Sequence, residues 1–293
     1  FRRVVAVAAA VCLIFGACWM IFTTRQETIT LNVYNWGQYI ADGSDDSLDI
    51  IAAFEARYPH IQVNYSTYDS TEMMYSKLAN GGITVDVIIP SDYMIERMIA
   101  EGALAEIDMA NITNYANIDE EYKNLSFDPE NKYSVPYTWG TVGIIYNTQY
   151  VDEADTKSWD ILWDERYMGE ILMFSNPRDS FFIALKRLGY SMNTTDEAEL
   201  REAAQSLKDQ KALVQAFVMD EIFDKMQGEE AMLAPYYAGD ATIMIEANPN
   251  LAFSIPNEGT NRFVDAACIP TSAKQKEAAE MYINFLCEPE VAA

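Results

Sequence analysis

The chain predicts an α/β fold of one or two lobes, and three observations carry that reading. Short β-rich runs alternate with segments of helical periodicity, the pattern of a largely parallel sheet with helices on its faces. The alternation halts near Thr138-Trp139-Gly140-Thr141 and then begins again, which marks that stretch as a crossing point between lobes. At 293 residues, with 50% apolar and 12% aromatic side chains, the chain exceeds one ordinary domain and can fill a packed core or two.

The elements follow in order. Arg2-Arg3 precedes the uncharged run Val4 to Phe22, long enough to span a bilayer as one N-terminal membrane segment. The two arginines would stay in the cytoplasm and place the rest outside. Phe15-Gly16-Ala17-Cys18 loosely resembles a lipoprotein cleavage site with Cys18 as the lipidated residue. The length of the run favours an uncleaved anchor over that alternative. Thr28 to Tyr34 reads as a strand. Leu48, Ile51, Phe54 and Tyr58 recur at helical spacing up to Pro59, and Ile61 to Tyr65 alternates as a strand. Asp69 with Glu72 suits a capping box opening the next helix. Val85 to Ile89 is a buried strand, ended by Pro90, with Ser91-Asp92-Tyr93 at its carboxyl end. Tyr133 to Tyr137 and Val142 to Tyr146 are strands that bracket the crossing point. Ile171 to Phe174 leads through Ser175-Asn176-Pro177-Arg178-Asp179 into a helix that Gly189 stops. Asp196 to Asp209 is an amphipathic helix with a solvated acidic face. Ala231 to Tyr237, Leu251 to Ile255 and Phe263 to Pro270 supply further strands before a helix from Lys274 to Leu286. The start at Phe1 and the stop at Ala293 read as truncations.

Charge and motif content narrow the chemistry. Forty-five acidic against 20 basic residues leave a formal charge of −25, which repels phosphates and argues against nucleic-acid binding. A cationic small ligand suits that balance. His60 has no neighbour suited to a catalytic triad and reads as a turn residue. GxGxxG, Walker, HExxH and GxSxG patterns are absent from the sequence, so the usual handles of nucleotide and hydrolase chemistry are missing. Neither a cofactor nor a metal is expected. Cys268 and Cys287 lack metal-ligand spacing and read as buried free thiols, with a bridge between them open to a domain outside the cytosol. Paired carboxylates are abundant, so a carboxylate-pair hydrolase stays open as an alternative.

Strand ends recurrently gather members of one set: an aromatic, a hydroxyl or amide, and an acid. They do so at Trp36 to Tyr39, Ser91 to Tyr93, Asn176 to Asp179 and Phe263 to Asp265. In open α/β sheets ligands bind beyond the carboxyl ends of strands, so these stretches could line one cleft. Aromatic faces attract ammonium groups and cover methylene chains while carboxylates accept amine hydrogens, which together describe a site for an alkyl polyamine.

At these residues the chain resembles the spermidine/putrescine-binding proteins of bacterial ABC importers, from about Leu31 to Ala293. The segments that carry the resemblance include Tyr34-Asn35-Trp36, Tyr65-Ser66-Thr67-Tyr68-Asp69-Ser70, Pro90-Ser91-Asp92-Tyr93, Phe127-Asp128-Pro129, Ser134-Val135-Pro136-Tyr137-Thr138-Trp139-Gly140 and Leu188-Gly189-Tyr190-Ser191. It implies a two-lobe fold of the periplasmic-binding-protein type with crossing hinge strands. Residues 1–28 would be the anchor or signal, 29–138 and 266–293 lobe I, and 139–265 lobe II. The implied ligand contacts are Trp36, Gly37, Gln38, Tyr39, Ser91, Tyr93, Asn176, Asp179, Tyr237, Phe263 and Asp265, with no catalytic residue. Asp179 and Asp265 would hold amines, Tyr237 and Phe263 would stack on the methylene chain, and Trp36 would close over one end. Gln38 stands where an acid is common in the family, Asn176 where one member has Asp, and Tyr237 and Phe263 replace tryptophans. Fewer acids imply that putrescine is taken at least as well as spermidine, with Asp92 as a candidate replacement. The resemblance further implies an extracytoplasmic receptor that delivers polyamine to an ABC permease and meets the membrane through its N-terminal segment. The same trap for another organic cation or small solute is the nearest alternative.

Overall fold

The computed structural model describes residues 28–44 and 47–292. The expected membrane segment, with Cys12 and Cys18, lies outside them. Among the described residues no helix is long and apolar enough to cross a membrane.

Two five-stranded sheets organise the chain. The first takes β1 (Ile29–Trp36), β2 (Ile61–Tyr68), β3 (Val87–Ile88), β4 (Ser134–Gly140) and, from the far end of the sequence, β10 (Phe263–Cys268), in the order β2-β1-β3-β10-β4. The second takes β5 (Val142–Asn147), β6 (Ile171–Phe174), β7 (Val214–Val218), β8 (Leu233–Tyr237) and β9 (Leu251–Ser254), in the order β7-β6-β8-β5-β9. Both sheets are mixed, a correction to the largely parallel expectation. β1 runs parallel to β2 and β3, but β10 is antiparallel to β3 and β4; β6 runs parallel to β7 and β8, but β5 is antiparallel to β8 and β9. The reversed strands are those that carry the chain from one lobe to the other or lead back.

Helices cover the sheets through parallel crossovers, as strand twist requires. Between β1 and β2 runs α1 (Ile50–Arg57), capped by the Asp49 carboxylate, which accepts from Ala52 N at 2.8 Å. α2 (Thr71–Ala79) follows β2 and α3 (Asp92–Ala100) follows β3. The cap of α2 is Ser70, whose hydroxyl accepts from Met73 N at 3.2 Å. The expected Asp69–Glu72 box does not form, because a helix that starts at Thr71 puts Glu72 second rather than third, out of reach of the cap amide. In lobe II, α4 (Pro177–Arg187) has Asn176 as its cap and Pro177 at its first turn, as that residue favours. Gly189, at φ +79, ends it, and the Tyr190 amide reaches back to Leu185 O at 2.8 Å. α5 (Glu197–Gln210) packs on α4 and leads into β7, an edge strand missing from the sequence-based expectation; α6 (Ile222–Gln227) and α7 (Ala238–Ala247) complete this lobe. α8 (Lys276–Leu286) and α9 (Pro289–Ala292) return to the first sheet.

Apolar alternation places the cores. In β1, Leu31 and Val33 join Phe54, Ile61, Tyr282 and Phe285 on one face, while Tyr34 joins Tyr68, Met74, Ile95 and Met98 on the other. Lobe II is built around Trp159, Phe182, Tyr236 and the fully buried β5 and β6. Cys268 and Cys287 are buried and free, as the sequence suggested.

The chain crosses between sheets at Thr141 and again at 255–262, and the two crossings are stitched together. The Thr141 hydroxyl donates to Thr260 Oγ1 at 3.1 Å, Val142 N donates to Asn261 Oδ1 at 2.9 Å, and the Thr260 hydroxyl donates to Val142 O. Thr138-Trp139-Gly140, expected as a connector, is continuous strand in β4.

Candidate functional site

All eleven residues singled out from the sequence line one cleft of about 1110 Å³ between the sheets. Its walls carry the carboxylates of Asp69, Asp92, Glu96, Asp179, Asp220, Asp240 and Asp265 against the guanidiniums of Arg178 and Arg262. A cation is therefore favoured there and an anion is not.

Asp265 is the most buried of the cleft's acids, 2% exposed, in the third position of β10. The Tyr39 hydroxyl donates to its Oδ2, while its Oδ1 is buried without a protein partner. Burial pushes its pKa up to about 7, with Asp92 and Asp179 adding to the rise and the hydroxyls of Ser91 and Tyr39 opposing it. Tyr39 is aimed by a tight turn after β1 in which Gln38 takes a left-handed backbone at φ +51. Its carbonyl is held by the Tyr137 hydroxyl at 2.7 Å. Burial and the neighbouring Asp265 raise the Tyr39 pKa well above its ordinary value, so the phenol stays a donor.

Asp179 faces it from lobe II, in the first turn of α4. Asn176 Nδ2 at 2.9 Å and the Tyr237 hydroxyl at 2.7 Å both donate to its Oδ2. Burial raises its pKa to about 6, against the pull of Tyr237 and Arg178. Tyr237 meets Phe263 edge-on at 5.5 Å between ring centres and Phe174 at 5.2 Å. Trp36 leans on Tyr68 at 4.9 Å and stands 6.2 Å from Tyr39, its Nε1 buried without a protein partner. Two carboxylates flanked by aromatic faces thus offer one charged contact from each lobe, and apolar walls between them.

Two wall residues had no role in the sequence reading. Asp240, in the first turn of α7, has a pKa pushed up to about 7 by burial and by Asp220, itself raised by burial, Asp69 and Glu221. Asp220 approaches Gly37 so closely that a Cβ there would stand 2.2 Å from its Oδ2. The signal for Asp240 was its place three residues beyond Tyr237, at a strand-to-helix turn like that of Asp179. Tyr93, expected as a wall, donates to Glu72 Oε1 at 2.8 Å, shares a 2.5 Å hydrogen bond with Thr71, and lies under the Arg178 guanidinium. Asp92 is restrained by the amides of Tyr93 at 2.6 Å and Val264 at 3.3 Å. Among the described residues no group of three or more His, Cys, Asp or Glu is arranged to hold a metal ion.

Comparison with known proteins gives this arrangement its context. Residues 83–293 match the bacterial extracellular solute-binding protein family. The spermidine/putrescine-binding periplasmic protein of Salmonella typhimurium is 38% identical over 264 residues, which cover 90% of this chain and 74% of that protein. The putrescine-binding periplasmic protein PotF of Escherichia coli is 29% identical over 92% of this chain and 76% of its own length. The solved structure of the spermidine/putrescine ABC transporter substrate-binding protein PotD from Streptococcus pneumoniae superposes with a TM-score of 0.70 at 38% identity, covering 90% of this chain and 80% of that one. With its fold, its cleft and these relatives in agreement, the chain belongs to the bacterial extracellular solute-binding proteins, in the family of the spermidine/putrescine-binding receptors.

Proposed function

We propose that this protein captures a polyamine outside the cytoplasm and delivers it to an ABC permease. The observation that carries the reading is the facing of Asp265 and Asp179 from opposite lobes, each held by a tyrosine hydroxyl and flanked by aromatic rings. Each ammonium takes a carboxylate and the methylene chain lies against Tyr237, Phe263 and Trp36. Asp240 supplies the acid that Gln38 lacks, which suits a diamine such as putrescine at least as well as spermidine. Because the contacts come from both lobes, ligand favours the closed state, and that state is what a permease would read. The mechanism is closure, without covalent chemistry. Lobe I is residues 29–140 with 263–293 and lobe II is 141–262, a shift from the expected bounds of 138/139 and 265/266 because β4 and β10 belong whole to the first sheet, and Val4 to Phe22 tethers the chain to the membrane.

Titration calorimetry with putrescine and spermidine tests this. Binding in the micromolar range or tighter is expected, since that corresponds to about 8 kcal/mol. Asp265→Asn is expected to weaken it by about 2–5 kcal/mol, the usual loss when one partner of a buried charge pair is removed. Polyamine binding that survives Asp265→Asn unchanged overturns the site; spermidine consumed during incubation overturns the receptor reading in favour of a hydrolase.

A further inference from the structure

Arg178 is a cation built into a cleft that otherwise selects for cations. It lies in the first turn of α4 in lobe II, and its position is fixed at both ends: its amide donates to Asn176 Oδ1 at 2.9 Å and its Nη2 donates to Asn193 Oδ1 at 3.0 Å. From there the guanidinium reaches across the cleft and stands 5.0 Å from the ring centre of Tyr93, on α3 of lobe I. The ring cannot yield, because its hydroxyl is pinned by Glu72 and Thr71 on α2. Asp92, beside Tyr93, feels the guanidinium as a stabilising charge. Cation on aromatic face, with a carboxylate alongside, is the chemistry the cleft offers a ligand, here used by the protein on itself.

We propose that Arg178 is an interlobe latch: its guanidinium docks on Tyr93 only when the lobes are closed, and so sets how long a captured ligand is held. Contacts present in the closed state and lost on opening act on escape rather than on encounter, so the effect belongs in the release rate. Arg178 binds no ligand atom in this scheme and is a positioning residue. The latch deepens the functional reading above and rests on it for the identity of what is released.

Two measurements on the intact protein test it. In stopped-flow fluorescence with putrescine, Arg178→Met is expected to speed release about tenfold, equivalent to 1.4 kcal/mol, with capture changed less than about twofold. Arg178→Lys, which keeps the charge but not the planar stacking surface, is expected to fall between the two. In small-angle X-ray scattering without polyamine, Arg178→Met is expected to show a larger radius of gyration than the parent. An unchanged release rate, an affinity lost through slower capture, or an unchanged radius of gyration overturns the latch. Because the scattering needs no ligand, it separates the two readings: a protein that ignores both polyamines but opens on Arg178→Met loses the proposed function and keeps the latch.

Discussion

Asp265 and Asp179 show how residue type and surroundings combine. A carboxylate in water ionises near pH 4; these two are pushed up to about 7 and about 6 by burial. An arriving ammonium favours their ionised forms, so protons and ligand compete. Putrescine affinity is therefore expected to fall as the pH is lowered through 7 and 6, with proton release on binding visible as a buffer-dependent enthalpy. Tyr39→Phe removes the donor that holds Asp265 down and is expected to move this fall to higher pH. A flat affinity from about pH 8 to about pH 5.5 would remove the linkage. Sequence reading found these two acids because each stands at a strand end near Asn176 or Phe263 and the resemblance implies a ligand contact there. It passed over Asp240, although that residue stands three beyond Tyr237 at a strand-to-helix turn, because one acid among 45 at such a turn carries little weight by itself. What makes it a site residue is the company of Asp220 and Asp69, which the fold assembles from segments distant in the chain.

At the scale of elements, the turn after β1 does the most for the site. Gly37 leaves room for the carboxylate of Asp220 of lobe II, whose Oδ2 a Cβ there would displace, while Gln38 swings Tyr39 onto Asp265. Gly37→Ala is expected to turn the Asp220 carboxylate away from this turn, weakening putrescine binding by less than about tenfold (1.4 kcal/mol) while leaving the melting temperature of the ligand-free protein nearly unchanged. Full affinity in that variant would show that binding does not need the Asp220 carboxylate at this turn. Elements rich in local signals were legible: the leading loop and Gly189 stop of α4, the alternation in β2, the helix α8. β7 was missed although Val214, Ala216 and Val218 alternate, because it follows α5 after only a short connection and forms an edge. Strand direction was also misjudged. Whether β5 and β10 run with or against their neighbours depends on where the chain changes lobe, and no short window of sequence records that.

For the whole molecule, the acid that attracts ligand also strains the empty protein. Asp179, Asp240 and Asp265 have folded-state pKa values of about 6, 7 and 7, above the unfolded value near 3.9. Between those limits the native state binds more protons than the unfolded one, so stability falls as pH rises from about 4 to about 7. The net charge of −25 acts in the same direction. The ligand-free protein is expected to melt higher at about pH 5.5 than at about pH 8, and putrescine at a hundred times its Kd to restore about 2.7 kcal/mol at the higher pH. Scanning calorimetry at the two pH values checks this, and a melting temperature that drops on acidification would count against buried, protonated carboxylates in the empty cleft.

The stitching of the two crossings has a mechanical consequence. Thr141, Val142, Thr260 and Asn261 bind the strands between the lobes into one ribbon, continuous with the antiparallel pairing of β4 and β10. A ribbon flexes easily across its thin dimension and resists shear in its own plane. The two bodies then retain a single soft coordinate, like covers on a shared spine, and every contact across the cleft is gained or lost along it in concert.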